Sequence, residues 1–329
     1  MPLKTIKAIA VSMSIGCVLS NLGYAASPNN TWAPSKPIRF IVGFPPGGAT
    51  DLVARILQPH LTSSLGNTVV VDNRPGANGV ISMQVLARSE TDGHTIAISH
   101  IGSLIVSPTI QKVGYDPMKD FSAVGMLVQL QNILIVHPSM PAKTLKEFLA
   151  IAKAQPGKLN YATSGVGSPG QLAGALLESM TGVTLNHVPY KGGGPAITDL
   201  VAGHIPSFIA VISTAVPHVL SGKARALAVT GGKRAEALPD VPTIAEAGVK
   251  DYLATNWYGL SAPARTAPNI INRLNADFTL ALRNPEVIKQ FKERGIEPAP
   301  SSGTDYLAFI RSEQQRWVPI IKKSNFETN

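Results

Sequence analysis

The sequence predicts an α/β protein of two lobes with a cleft between them. Three observations predict it. Apolar strand-like runs alternate with helix-period segments from Pro37 to Ser99, the pattern of a parallel sheet covered by helices. The same alternation restarts at Asn132 and runs to Val229. Glycine-rich joints recur in both halves where a strand hands over to a helix. A chain of 329 residues has room for two such units.

In the first unit, Pro37 to Phe44 reads as a buried strand and Asp51 to Leu65 as a helix. NTVVVD at Asn67 to Asp72 is a second strand, NRPGANG at Asn73 to Gly79 a turn, and Val80 to Ala87 a helix. After the Asp92-Gly93 turn, His94 to Ser99 is a third strand. In the second unit, Asn132 to Val136 is a strand. Thr144 with Glu147 three residues on predicts a capping box for a helix over Leu145 to Ala154. Strands over Leu159 to Ser164, Thr184 to Val188, Ile205 to Val211 and Ala224 to Val229 alternate with helices at Gln171 to Met180, Ala196 to Val201 and Val216 to Ser221. The tail holds a strand at Trp257 to Pro263 and two amphipathic helices, near Pro268 to Arg283 and Asp305 to Lys323.

The first residues read as an export signal. Lys4 and Lys7 precede a short apolar stretch from Ala8 to Leu22, and GYAA at Gly23 to Ala26 offers small residues for cleavage. The rival is an uncleaved N-terminal anchor, for which the apolar stretch is short. Cleavage near Ala25 removes the only cysteine, Cys17, and with it thiolate catalysis and cysteine-held metals. It also removes Lys4 and Lys7 and no acid, so the net charge goes from +9 to +7. A mild positive excess attracts anions. The basic residues are scattered and not interleaved with aromatics, which points away from nucleic acid. The expected address is the periplasm.

Three joints carry the functional signal. FPPGGATD at Phe44 to Asp51 and YKGGGPAITDLV at Tyr190 to Val201 both place glycines between a strand and a helix. The second is expected to start its helix with Pro195 near the first position. The third, SGVGSPG at Ser164 to Gly170, matches a dinucleotide-type glycine spacing. Pro169 inside it and the export signal argue against a nucleotide. A helix start carries bare N–H donors and a partial positive charge, and glycine lets an anion approach them. Any one joint alone is more simply a tight turn. Three over two units favour an anion site, with the Ser164 and Ser168 hydroxyls as added donors. Asp51 reads as a first-turn helix residue rather than a catalyst.

Catalytic patterns are sparse. No histidine pair has zinc-protease spacing, and no nucleophile elbow is present. Ser99-His100 is an adjacent pair, which does not make a triad. An exported hydrolase using Ser99 or His100 is the competing function, and a secreted adhesion module has no repeats behind it. Trp257 and Tyr258 read as core residues that could also border a cleft.

The segments KPIRFIVGFPPGGATDLVAR, VVDNRPGANG, YDPMKDF, YATSGVGSPGQLAG, YKGGGPAITDLVAGHI, LPDVPTIAEAG and WYGLSAPA occur in that order over nearly all of the chain after the signal. On these segments the sequence resembles the Bug-type solute receptors of tripartite tricarboxylate transporters. The resemblance implies a type II periplasmic-binding-protein fold, with residues 1–25 as signal, 26–128 plus 252–329 as one lobe and 129–251 as the other. It implies a small carboxylate ligand, partly water-held, and membrane subunits of the transporter as partners. It implies neither cofactor nor metal, no enzymatic activity, and a monomer. By position it places ligand contacts at Phe44, Gly47, Gly48, Ala49 and Asp51, and at Ser164, Gly165 and Ser168 on the facing loop. Ser99, His100, Ser103, Lys191 and Gly192 complete the set. One departure is informative. Many members carry an aspartate in the strand that here reads HIPSFIAVIST, with Pro206 and Ala210 at those places. A ligand ammonium would lack its partner there, so a non-amino aliphatic or aromatic carboxylate is expected.

Overall fold

The computed structural model describes Met1 and residues 32–323. The expected signal segment and its cleavage site lie outside the described residues. Three parallel strands open the fold, β1 (Ile38–Val42), β2 (Val69–Asn73) and β3 (Thr95–His100). The helices α1 (Ala49–Leu65) and α2 (Val80–Ala87) connect them. A wide helical turn at Gly102–Val106 runs into the short α3 (Ser107–Ile110). The long strand β4 (Phe121–Val136) follows. The second unit is α4 (Leu145–Ala154), β5 (Asn160–Thr163), α5 (Pro169–Thr181), β6 (Asn186–Pro189), α6 (Gly193–Val201), β7 (Ser207–Val211), α7 (Ile212–Leu220) and β8 (Arg225–Val229). The chain then returns through β9 (Thr255–Pro263), α8 (Pro268–Leu282), α9 (Pro285–Lys292), the two-residue β10 (Glu297–Pro298) and α10 (Gly303–Lys323).

The strands lie in the order β2-β1-β3-β9-β4-β7-β5-β6, with β8 and β10 also on β4. β4 belongs to two lobes. Its Phe121–Gln131 part pairs with β9, and its Asn132–Val136 part pairs with β7 and β8. The first lobe is built around β1, β2, β3 and β9, the second around β5 to β8. The expectation of parallel sheets holds for β1 to β3 and for β5 with β6 and β7. It fails at β4 and β9, which run antiparallel to their neighbours. The first eleven residues of β4 escape a sequence reading because Gly125, Gln129 and Gln131 break the apolar run. Where β4 changes partners, Thr230 pins the crossing. Its N–H donates to Asn132 O at 2.9 Å, and its hydroxyl accepts from Asn132 N at 2.9 Å and donates to Ala254 O at 2.7 Å.

Local signals place several elements where expected. Thr144 and Glu147 form the predicted capping box on α4. Helix α6 instead starts at Gly193 with Gly192 as its cap, so Pro195 sits at the third position, still within the turn whose N–H groups have no intrahelical acceptor. Helix α9 was not anticipated, because its short amphipathic run follows α8 across a single Asn-Pro break. The first-lobe core packs Phe40 edge-on against Phe278, with ring centroids 5.5 Å apart. In α5, Gly170 lies against β7 so closely that a Cβ would stand 2.3 Å from Ile209 O. That contact seats the start of α5 on the cleft side of the sheet.

Candidate functional site

The joint after β1 is held by Asp51. Its carboxylate accepts from Gly47 N (3.0 Å), Arg55 Nε (2.9 Å) and Asn73 Nδ2 (2.9 Å). Asn73 Nδ2 also reaches Phe44 O at 3.0 Å. Burial works against the charge of Asp51, but the hydrogen bonds from Arg55, Asn73 and Gly47 outweigh it and hold the carboxyl below its usual range. Gly47 adopts φ +83, a backbone that L-residues rarely take. Asp51 is thus a clamp that shapes the loop, its oxygens spent on the protein. Asp51→Ala is expected to lower the unfolding free energy by about 1–2 kcal/mol, because it removes the acceptor for Gly47 N and Asn73 Nδ2 and a charge-assisted bond from the half-exposed Arg55; urea unfolding measures it.

Four helix starts converge on one small chamber of about 30 Å³. Gly48, Ala49 and Thr50 come from α1, Pro169 from α5, Gly193 and Gly194 from α6, and Val211 and Thr214 from α7. The starts of α1, α6 and α7 have no side-chain cap, so their first-turn N–H groups remain available. Helix α5 is capped by Ser168, whose hydroxyl accepts from Gln171 N at 3.3 Å. Phe44, His100, Ser164, Phe208 and Tyr258 close the chamber. Among the described residues, no charged side chain lines it. The chamber adjoins a cleft of about 600 Å³ through Phe44, Pro45 and Ser164, which border both. Lys191 is the only charged side chain lining that cleft among the described residues.

His100 is the polar group that most needs a partner. Its Nδ1 accepts from Gly102 N at 3.0 Å, so the neutral ring carries its proton on Nε2. Nε2 is buried with no hydrogen-bond partner. Burial pushes the imidazole down to about 4, keeping it neutral near pH 7. The ring packs on Phe44 at 5.3 Å and faces Tyr258 at 6.3 Å. Burial raises the Tyr258 hydroxyl to about 12, with the nearby Thr50 and Asn256 side chains acting against the shift.

The predicted residues divide into two groups. Phe44, Gly48, Ala49, His100 and Ser164 line the chamber, and Gly165, Lys191 and Gly192 line the cleft. Gly47, Asp51, Ser99, Ser103 and Ser168 line neither. Ser99 faces the opposite side of β3 from His100, as strand alternation requires. Its hydroxyl bonds Ser261 Oγ at 2.8 Å and Tyr306 Oη at 3.0 Å, so Ser99 and His100 do not pair with one another. Ser103 bonds the backbone of His100. Trp257 faces the core, donating to the buried Glu313 at 3.1 Å, whereas its neighbour Tyr258 faces the chamber. Ala210 is fully buried in the second-lobe core and lines neither cavity, so the absence of an acid is better read from the lining itself.

Asn78 falls in the turn that the sequence places between β2 and α2. It adopts φ +51 and ψ +46, and its Nδ2 donates to Gly167 O across the cleft at 2.6 Å. The A-N-G signature of a left-handed asparagine was the available clue. Gly192 approaches Pro45 from the other lobe so closely that a Cβ there would stand 3.1 Å from Pro45 Cδ.

Residues 53–326 match the family model described as "Tripartite tricarboxylate transporter family receptor". The chain belongs to this family. The receptor is 35% identical over 312 residues to protein BugT of Bordetella pertussis, covering 94% of this chain and 96% of BugT. Among solved structures, it is 33% identical to R. palustris Rpa4515 with adipate, at TM-score 0.84 over 88% of this chain and 97% of that one. It is 30% identical to MatC from Rhodopseudomonas palustris with bound malate, at TM-score 0.83 over 88% and 99%. The receptor is a Bug-type solute-binding protein with the two-lobed α/β fold of periplasmic binding proteins. Among the described residues, no helix is long and apolar enough to cross a membrane.

Proposed function

We propose that the receptor captures a small non-amino carboxylate in this cleft and presents the closed form to membrane subunits of a tripartite tricarboxylate transporter. The observation that carries the reading is the convergence of four helix starts on a chamber without charged side chains. Helix N-termini and bare N–H groups bind a carboxylate without a counter-cation. The His100 Nε2–H adds a neutral donor. Phe44 and Phe208 offer apolar surface to the ligand body. Relatives recorded with adipate and with malate support a carboxylate as ligand class. No acidic side chain lines chamber or cleft among the described residues, so an ammonium group entering there would be buried unpaired.

The protein acts by binding and release, as a monomer in the periplasm after its signal is removed. Lobe closure is a hinge motion between residues 26–128 plus 252–329 and residues 129–251. A thermal-shift panel of aliphatic and aromatic mono- and dicarboxylates, tricarboxylates and amino acids tests the reading. A ligand that binds only the folded state raises the melting temperature by mass action. The expected hits are non-amino carboxylates. Tighter binding of aspartate or glutamate than of simple dicarboxylates overturns the non-amino assignment.

A further inference from the structure

His187 lines neither cavity, yet the cleft loop at Ser164 to Ser168 is tied to it twice. It sits on β6, opposite Tyr161 of β5, with the two rings 5.2 Å apart. Its Nδ1 accepts from Gln171 Nε2 at 3.1 Å. Gln171 Oε1 in turn accepts from Gly167 N at 2.6 Å. On its other side, His187 Nε2 meets Thr163 Oγ1 at 2.7 Å. Thr163 Oγ1 donates to Gly165 O at 3.1 Å and accepts from Gly165 N at 3.2 Å. Gly165 and Gly167 are the two loop residues with left-handed φ, +135 and +75, so both chains end where the backbone is least constrained by its own side chains.

One proton fixes every direction in this network. Gln171 must turn its oxygen to the Gly167 N–H, so its amide nitrogen faces His187. Nδ1 must then be bare and Nε2 must carry the proton. Nε2–H donates to Thr163 Oγ1, whose own hydrogen is free for Gly165 O. A protonated imidazole would set Nδ1–H against the Gln171 amide N–H. Turning the amide over would move that donor–donor conflict to Gly167 N. We propose that neutral, Nε2-protonated His187 is the positioning residue that sets the conformation of the Ser164–Ser168 loop, and through it the affinity of the cleft. The effect on affinity rests on the carboxylate reading above; the effect on the loop does not.

The titratable groups on the neighbouring elements are Tyr161 on β5 and Glu178 on α5, the latter accepting from Leu185 N at 2.7 Å. Burial, with no charged partner acting on it, keeps His187 neutral, pushed down to about 4.

The test compares the intact receptor with His187→Leu, which removes both bonds, and His187→Asn, which keeps an acceptor toward Gln171. Amide hydrogen exchange at Gly165 and Gly167 is read without ligand, and affinity is read by calorimetry with whichever panel carboxylate binds the wild type. In His187→Leu, exchange at both glycines is expected to quicken about tenfold or more, and affinity to weaken about tenfold. In His187→Asn, Gly167 protection is expected to return and Gly165 protection to stay lost. Unchanged protection in His187→Leu overturns the proposal, as does an Asn variant no different from Leu. If His187→Leu does not fold, NMR of the wild type titrated from pH 7 toward pH 4.5 decides: Gly165 and Gly167 amides that fail to shift with the His187 ring overturn it. Should no carboxylate bind the wild type, the cleft reading falls while loop protection still judges His187.

Discussion

Gly48→Asp is expected to weaken carboxylate binding by a hundredfold or more while the fold survives. Gly48 caps α1 at φ −81 and ψ 169, a conformation open to any residue. A Cβ there would meet only Pro45 O, at an ordinary 3.6 Å. Aspartate is also a favoured helix cap, so the side chain would accept the same first-turn N–H groups that the ligand needs, and its charge would repel the ligand's. A hundredfold loss corresponds to about 2.8 kcal/mol, within reach of one displaced charge-assisted contact plus repulsion. The melting temperature without ligand should hold or rise. Gly48→Asn supplies the cap without the charge and should lose less. Calorimetry with a panel carboxylate reads both variants. Unchanged affinity in Gly48→Asp would move the anion site away from α1.

The second large effect is acid destabilisation that begins well above the carboxylate range. His100 and His187 are both pushed by burial to about 4, against an ordinary value of about 6.5 in the unfolded chain. The unfolded chain therefore binds more protons between those values, and stability falls as pH falls. The contribution is fully present above about pH 6.5 and is gone once pH passes through about 4. Each histidine accounts for about 3 kcal/mol at most, by the linkage of pKa to stability. Asp51 and Asp72 have lowered carboxyls and lose their share only in more acid solution. Glu178, raised by burial, acts in the opposite sense and partly offsets the loss. Urea unfolding at pH 7, 6 and 5 should show a steady decline, shallower in His100→Gln. A flat profile over that range would mean that neither ring is buried neutral.

Much of this architecture was legible in the residues. Helix α4 announces itself through apolar period and its capping box, and the cleft loops through their glycines. The topology was less legible. Strands β4 and β9 look like other apolar strands, and nothing local tells a strand to run antiparallel or to serve two lobes. The site divided the same way. Backbone donors leave no mark in side-chain identity, so the helix starts could be located but not the inward or outward sense of Ser99 and His100. That sense depends on the register of β3 against β9, a pairing more than 150 residues apart in sequence. The supporting roles of Asn78 and His187 depend on partners brought close only by the fold, as does the bond of Asp51 to Asn73.

The single strand shared by both lobes also orders the assembly of the chain. β3 and β4 are consecutive in sequence but are not neighbours; β9 lies between them. During synthesis the first lobe stays an incomplete sheet, with two unpaired edges, until the last quarter of the polypeptide arrives. Such non-local closure is slow. Until β9 is in place, the facing edges of β3 and β4 carry unpaired backbone groups that only the late strand covers.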